Sequence, residues 1–223
     1  MKKKLWLIIG ICISVLLVAG IVLYFAVYRP KQLEQKRTAR LITEYRENKR
    51  QQYMAENEKY DDYEVDVAFI GDSLTDGYDL QKYYPQFVTA NRGIGGDTTF
   101  DLEGRLQVSV YDLKPKVVVM LIGANNMDTM MDNYESILQG LQEHLPDSKI
   151  VLLSLTAMGG EHWGRKNQLA AYNNVTIKLL AEKYGYTFID LYTPLYDVTT
   201  REVREGYTVL TEQITPVLEK LLA

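Results

Sequence analysis

Apolar residues change their spacing in a fixed order along the chain. Leu5 to Tyr28 is a run of 24 residues without a charge. From Pro30 to about Glu58 the chain is rich in Glu, Lys, Arg and Gln, with only Leu33, Leu41, Ile42 and Tyr45 as a thin apolar stripe. Proline at a first helical turn followed by such residues predicts a solvated helix. Beyond residue 65, short apolar runs alternate with helical patterns. The runs Val65–Ile70, Phe87–Ala90, Val117–Ile122, Ile150–Leu155 and Thr187–Leu191 predict strands. Helices are expected near 98–111, 132–145, 164–184 and 207–222. Nearly all-apolar strands separated by helices imply a parallel sheet covered on both faces. With right-handed crossovers this is an α/β protein, a three-layer α/β/α sandwich on a five-stranded parallel sheet.

The first run is long enough for a helix to cross a hydrocarbon core of about 30 Å with some tilt. Trp6, Tyr24 and Tyr28 lie near its ends, where aromatic rings favour the membrane interface. A cleaved signal peptide has a shorter apolar region and a small-residue cleavage site, and Arg29-Pro30 offers none. Residues 1–29 are therefore expected to be an uncleaved single-pass transmembrane anchor, 30–60 a charged helical stalk, and 61–223 the globular domain. Cys12, the only cysteine, falls inside the anchor, so the chain forms no internal disulfide. Both flanks of the anchor are basic, and the positive-inside rule does not orient it. A signal-like start before a long domain favours a short cytoplasmic N-terminus and an extracytoplasmic globular domain.

Charge divides the chain in the same place. Residues 1–60 carry 12 Lys/Arg against 5 Asp/Glu, a net of +7, and the remainder carries −11. The basic part suits anionic lipid head groups. The acidic globular part lacks the basic patch that nucleic-acid binding needs. The two histidines, His144 and His162, are not at zinc-ligand spacing. No metal or organic cofactor is expected.

In a parallel α/β sheet the working residues collect beyond the carboxyl ends of the strands. Gly71-Asp72-Ser73-Leu74 follows the first strand, Asn91 to Thr99 with Gly93, Gly95 and Gly96 follows the second, and Gly123-Ala124-Asn125-Asn126 follows the third. Ser73 is placed either as an exposed nucleophile on a strand-to-helix turn or as the cap of the next helix. The glycines do not match a dinucleotide fingerprint, and no Walker lysine follows. Asn125 alone reads equally as a turn residue. Together the three loops supply a hydroxyl, a backbone N–H at Gly96 with no side chain in front of it, and the Asn125 amide. That set is a nucleophile with an oxyanion hole, to which the N–H of Ser73 adds a third donor.

These motifs resemble the SGNH/GDSL hydrolase superfamily of esterases, lipases and carbohydrate acetyl-esterases, over residues 65–223. The resemblance implies Ser73 as nucleophile from Gly71-Asp72-Ser73-Leu74, Gly96 in the oxyanion hole from Gly96-Asp97-Thr98, and Asn125 as its partner from Gly123-Ala124-Asn125, with Asn126 standing where the family has aspartate. It also implies a flavodoxin-like sandwich, no cofactor, and an ester-bearing small molecule, lipid or glycan as substrate.

The family's D-x-x-H block, which supplies the base and the carboxylate that orients it, has no counterpart. Aligned on Gly206-Tyr207, its histidine falls near Arg201 and its aspartate near Val198. Arginine does not deprotonate in proteins and cannot serve as base. A deletion between two Gly-Tyr-containing segments would leave this pattern. His162, after the fourth strand and beside Glu161, is the remaining candidate base, and reads otherwise as a substrate-contact or helix-start residue. His144, at a helix end, reads as structural. The chain is therefore expected to be a membrane-anchored ester hydrolase, or an inactive module of the same fold binding an acylated glycan or lipid. A third reading is a partner-binding role through the stalk.

Overall fold

The computed structural model describes residues 2–159, 164–196 and 206–223. Two compact units divide the chain, Met1–Asn48 and Lys49–Ala223. The first holds helix α1 (Lys2–Leu23), a π-helical turn (Tyr24–Tyr28) and most of α2 (Arg29–Asn57). Its helix is long and apolar enough to cross a membrane. All side chains from Ile13 to Tyr28 are exposed.

The second unit is built on five parallel strands, β1 (Val67–Gly71), β2 (Thr89–Gly93), β3 (Val117–Leu121), β4 (Lys149–Leu153) and β5 (Thr187–Ile189), in the order β2-β1-β3-β4-β5. Val67 pairs with Thr89 on one side and with Val117 on the other. Alternation along the strands feeds two cores. Ala68, Ile70, Val118, Met120, Ile150 and Leu152 pack with α5 (Thr99–Glu103), α6 (Met131–His144) and α7 (Arg165–Tyr184). Val67, Phe69, Val119, Leu121, Val151 and Leu153 pack on the other side with α9 (Tyr207–Leu222). The short helices α3 (Ser73–Asp76), α4 (Leu80–Tyr83) and α8 (Tyr192–Leu195) complete the layers. This is the expected three-layer sandwich, in the flavodoxin-like strand order.

Three expectations shift. The second strand runs to Gly93 rather than ending at Ala90, because its polar residues find partners. The Asn91 amide donates to the carbonyls of Thr75 at 2.7 Å and Tyr78 at 3.0 Å. Arg92 is fully buried against Glu56 and Asn57. The helix expected over 98–111 breaks at Gly104 and resumes as a π-helical segment, Gln107–Tyr111. The globular unit begins at Lys49 rather than at residue 61. Tyr53 keeps 1% of its surface exposed, donates its hydroxyl to the Gly93 carbonyl at 2.5 Å and lies under the Arg92 guanidinium. A solvated stalk would not carry these contacts.

A chain begun at Lys49 is therefore expected to unfold in urea as one cooperative transition. A chain begun at Asp61 lacks Tyr53 and the Glu56 partner of a buried arginine, and is expected to be less stable by at least about 2 kcal/mol. Equal urea midpoints by circular dichroism would show that the end of α2 contributes nothing.

Candidate active site

The order β2-β1-β3 makes the loops after β1 and β3 leave the sheet on either side of a switch point, where α/β folds open a crevice. Ser73 stands on the first loop and Asn125 on the second. Gly71 is needed for close packing: a Cβ there would overlap the Leu121 carbonyl and the Thr75 hydroxyl. The chain then turns into α3, and Asp72 caps it, its carboxylate accepting the N–H of Leu74 at 3.1 Å. The cap is thus the aspartate and not the serine. Ser73 is exposed, and its hydroxyl makes no hydrogen bond to another described residue.

Asp72 retains 1% of its surface. Burial pushes its carboxyl up to about 6, and the nearby Asp97 carboxylate adds to the rise while the Leu74 N–H opposes it. Tyr207, at the start of α9, stacks on Tyr78 with centroids 4.6 Å apart. Its hydroxyl lies against Gly77 at the end of the serine turn, and its phenol is raised by burial and by the Asp72 and Asp76 carboxylates.

Gly96 has φ +80° and is exposed, and a Cβ built on it would meet nothing within 4 Å. Its backbone, not crowding, calls for glycine. The Asn125 amide donates to the Asp97 carbonyl at 2.9 Å, which fixes the side chain against the second loop and leaves its other N–H free to point elsewhere. Asn126 is explained locally. Its oxygen accepts the Thr99 N–H at 3.2 Å and its amide donates to Thr99 Oγ1 at 2.9 Å, while that hydroxyl donates to Asn133 Oδ1 at 2.7 Å. A carboxylate at 126 would lack the N–H that this chain of bonds uses.

The residue that joins the loops is Arg105, whose side chain is 1% exposed. Its guanidinium donates to Asp97 Oδ2 at 2.7 Å, to the carbonyls of Arg92 and Gly71, each at 2.9 Å, and to Ser109 Oγ at 2.8 Å. Sequence reasoning missed it. The signal was present: Leu102, Arg105, Leu106 and Ser109 form one helical stripe, and a charge on a core stripe demands buried partners.

His144 closes α6, which leads into the start of β4, and its ring stacks on Tyr111 at 4.4 Å. It therefore sits at the opposite edge of the parallel sheet from Ser73. His162 and Glu161 lie outside the described residues, as does the 197–205 segment in which a D-x-x-H block is expected. The loop leading to them is firmly held. Asn174 bonds the N–H and carbonyl of Leu155, at 2.7 and 3.1 Å, and Asn167 those of Met158, both at 2.7 Å.

Known proteins resemble this chain in sequence and in fold. The profile of the GDSL-like Lipase/Acylhydrolase family matches residues 69–208. The platelet-activating factor acetylhydrolase IB subunit alpha2 of Homo sapiens is 35% identical over 107 residues, covering 44% of this chain and 47% of that protein. The chain thus matches about half the length of that relative. An acetylxylan esterase of Geobacillus stearothermophilus is 27% identical over 164 residues, 56% of this chain and 74% of the esterase. In three dimensions, a GDSL-like lipase of Bacteroides thetaiotaomicron superposes with a TM-score of 0.66 at 21% identity, covering 77% of this chain and 97% of that one.

The Asp72 carboxyl gives a pH prediction. With a folded value above the ordinary 3.8, the folded state holds the proton more tightly, so the contribution of Asp72 to stability is fully present below about pH 4 and is lost as pH rises through about 6. In Asp72→Asn the amide oxygen still accepts the Leu74 N–H. Its stability relative to wild type is expected to climb from pH 4 to pH 7 by about 1–3 kcal/mol and then level off. Urea midpoints at stepped pH measure this, and a difference that stays flat with pH would contradict it.

Proposed function

The chain belongs to the GDSL-like lipase/acylhydrolase family, and from that premise we propose that it is a membrane-anchored serine hydrolase of acyl or acetyl esters carried by a lipid or a carbohydrate. One observation carries the reading. The Ser73 hydroxyl is exposed and uncapped beyond β1, while the Asn125 amide is fixed on the loop that presents Gly96. In this reading Ser73 Oγ attacks the ester carbonyl carbon. The tetrahedral oxyanion takes the N–H groups of Ser73 and Gly96 and the remaining N–H of Asn125. The alcohol then leaves, and water releases the acid from the acylated serine. The names of the two curated relatives denote acetyl-ester hydrolysis, which supports a small acyl group.

The proton of Ser73 needs a base, since a serine hydroxyl is a poor nucleophile without one. His162, which follows β4 in the sequence, is the proposed base. A second reading has a specific observation behind it: no D-x-x-H precedes Gly206-Tyr207, and His144 stands at the wrong edge of the sheet. Without a base, binding and an oxyanion hole alone leave a rate about 10³–10⁴ over water, by analogy with serine proteases. The protein would then be a binding module for an acylated glycan or lipid.

Turnover of 4-nitrophenyl acetate by the full chain in detergent separates the two. The hydrolase reading expects Ser73→Ala to fall to background, Asn125→Ala to lose about 10²–10³ in kcat, and His162→Ala to approach the serine variant. Equal rates for wild type and Ser73→Ala would leave the binding module. A His162→Ala rate equal to wild type would remove that histidine from the mechanism.

Location is proposed with it. Residues 1–29 span the bilayer once, and the globular unit lies outside the cytoplasm. Protease added to intact cells is expected to digest the globular unit, and full protection would reverse the orientation.

A further inference from the structure

The serine turn has a second set of partners, from the end of α2. Lys49 Nζ donates to Asp76 Oδ1 at 2.7 Å, and Asp76 Oδ2 accepts the backbone N–H of Gly95 at 3.3 Å. Asp76 closes the four-residue helix that Ser73 opens, and its own N–H bonds to the Asp72 carbonyl at 2.9 Å. Gly95 immediately precedes Gly96. One carboxylate thus joins α2, the helix of the serine and the peptide next to the oxyanion glycine. The lysine and aspartate side chains keep 26% and 19% of their surface, so solvent screens the pair less than it does a surface pair. Further along the same face of α2, Tyr53 bonds to the Gly93 carbonyl and Glu56 pairs with Arg92. The loop from Gly93 to Gly96 is therefore approached from α2 at several points, and Lys49 is the contact that passes through the serine turn.

We propose that Lys49 and Asp76 are positioning residues for the oxyanion loop. The proposal rests on the ester-hydrolase reading for its catalytic consequence. A Gly-Gly sequence has wide conformational freedom, and the N–H of Gly96 points usefully only if the preceding peptide is held. A charged acceptor on the Gly95 N–H restrains rotation there and so aims the next N–H. Lys49 holds one oxygen of Asp76 and thereby turns the other toward Gly95. The substrate is touched by Gly96, and Lys49 acts on it through Asp76 and Gly95.

The test uses the full chain in detergent with Lys49→Met and Lys49→Arg. Amide hydrogen exchange is read over 93–97, with β3 as internal reference, beside kcat and KM for 4-nitrophenyl acetate. Lys49→Met is expected to speed exchange over 93–97 by about tenfold or more while β3 is unchanged. Its kcat should fall about 10–100-fold at nearly constant KM, and Lys49→Arg should restore both. Unchanged exchange over 93–97 would overturn the proposal. So would faster exchange throughout the globular unit, which marks a general effect on stability. A wild type without Ser73-dependent turnover would remove the hydrolase reading alone, because exchange still decides whether Lys49 orders the loop.

Discussion

A buried guanidinium sets the geometry of this sheet edge. Arg105 has almost no solvent and must place its N–H groups on protein acceptors. It takes the carbonyls at the ends of β1 and β2, the Asp97 carboxylate and a serine hydroxyl. The Gly71 carbonyl it holds also accepts the N–H of Ile94, and the Asp97 residue it holds receives the Asn125 amide. The end of β1, the glycine loop after β2 and the asparagine loop after β3 are therefore fixed to one charge. Removing a partner from such a pair costs about 3–5 kcal/mol, because the remaining charge is left uncompensated.

Buried amides continue the same logic across the sheet. Asn174 and Asn167 of α7 satisfy both backbone groups of residues in the loop after β4, and Asn173 bonds the Met127 carbonyl after β3. Each replaces ladder bonds that a loop cannot make for itself. They also explain why α7 lacks a clean apolar stripe. At the β2 edge, the end of α2 performs the covering role that an edge strand requires.

The five strands and the long helices were legible because nearly continuous apolar runs and helical stripes are local signals. The limits of β2 were not, since Asn91 and Arg92 look like loop residues until the serine turn and α2 supply their partners. Ser73 was legible as a position but not as an uncapped hydroxyl, because Asp72 and Ser73 are both good caps and only the backbone chooses between them. Asn126 looked like a departure and is a working part of a bond chain through Thr99 and Asn133.

By itself the sequence determined the sheet, its covering helices, the apolar N-terminal helix and the three loops on which Ser73, Gly96 and Asn125 stand. Those follow from periodicity and from the rule that loops beyond parallel strands share one edge. Only the tertiary structure decided that Asp72 rather than Ser73 caps the turn, that Arg105 joins the loops, and that the globular unit starts at Lys49 within a helix that reads as one solvated segment. The physical reason is that burial assigns partners to polar groups. A charge or an amide in a sequence states only that a partner is needed, and the partner lies far along the chain.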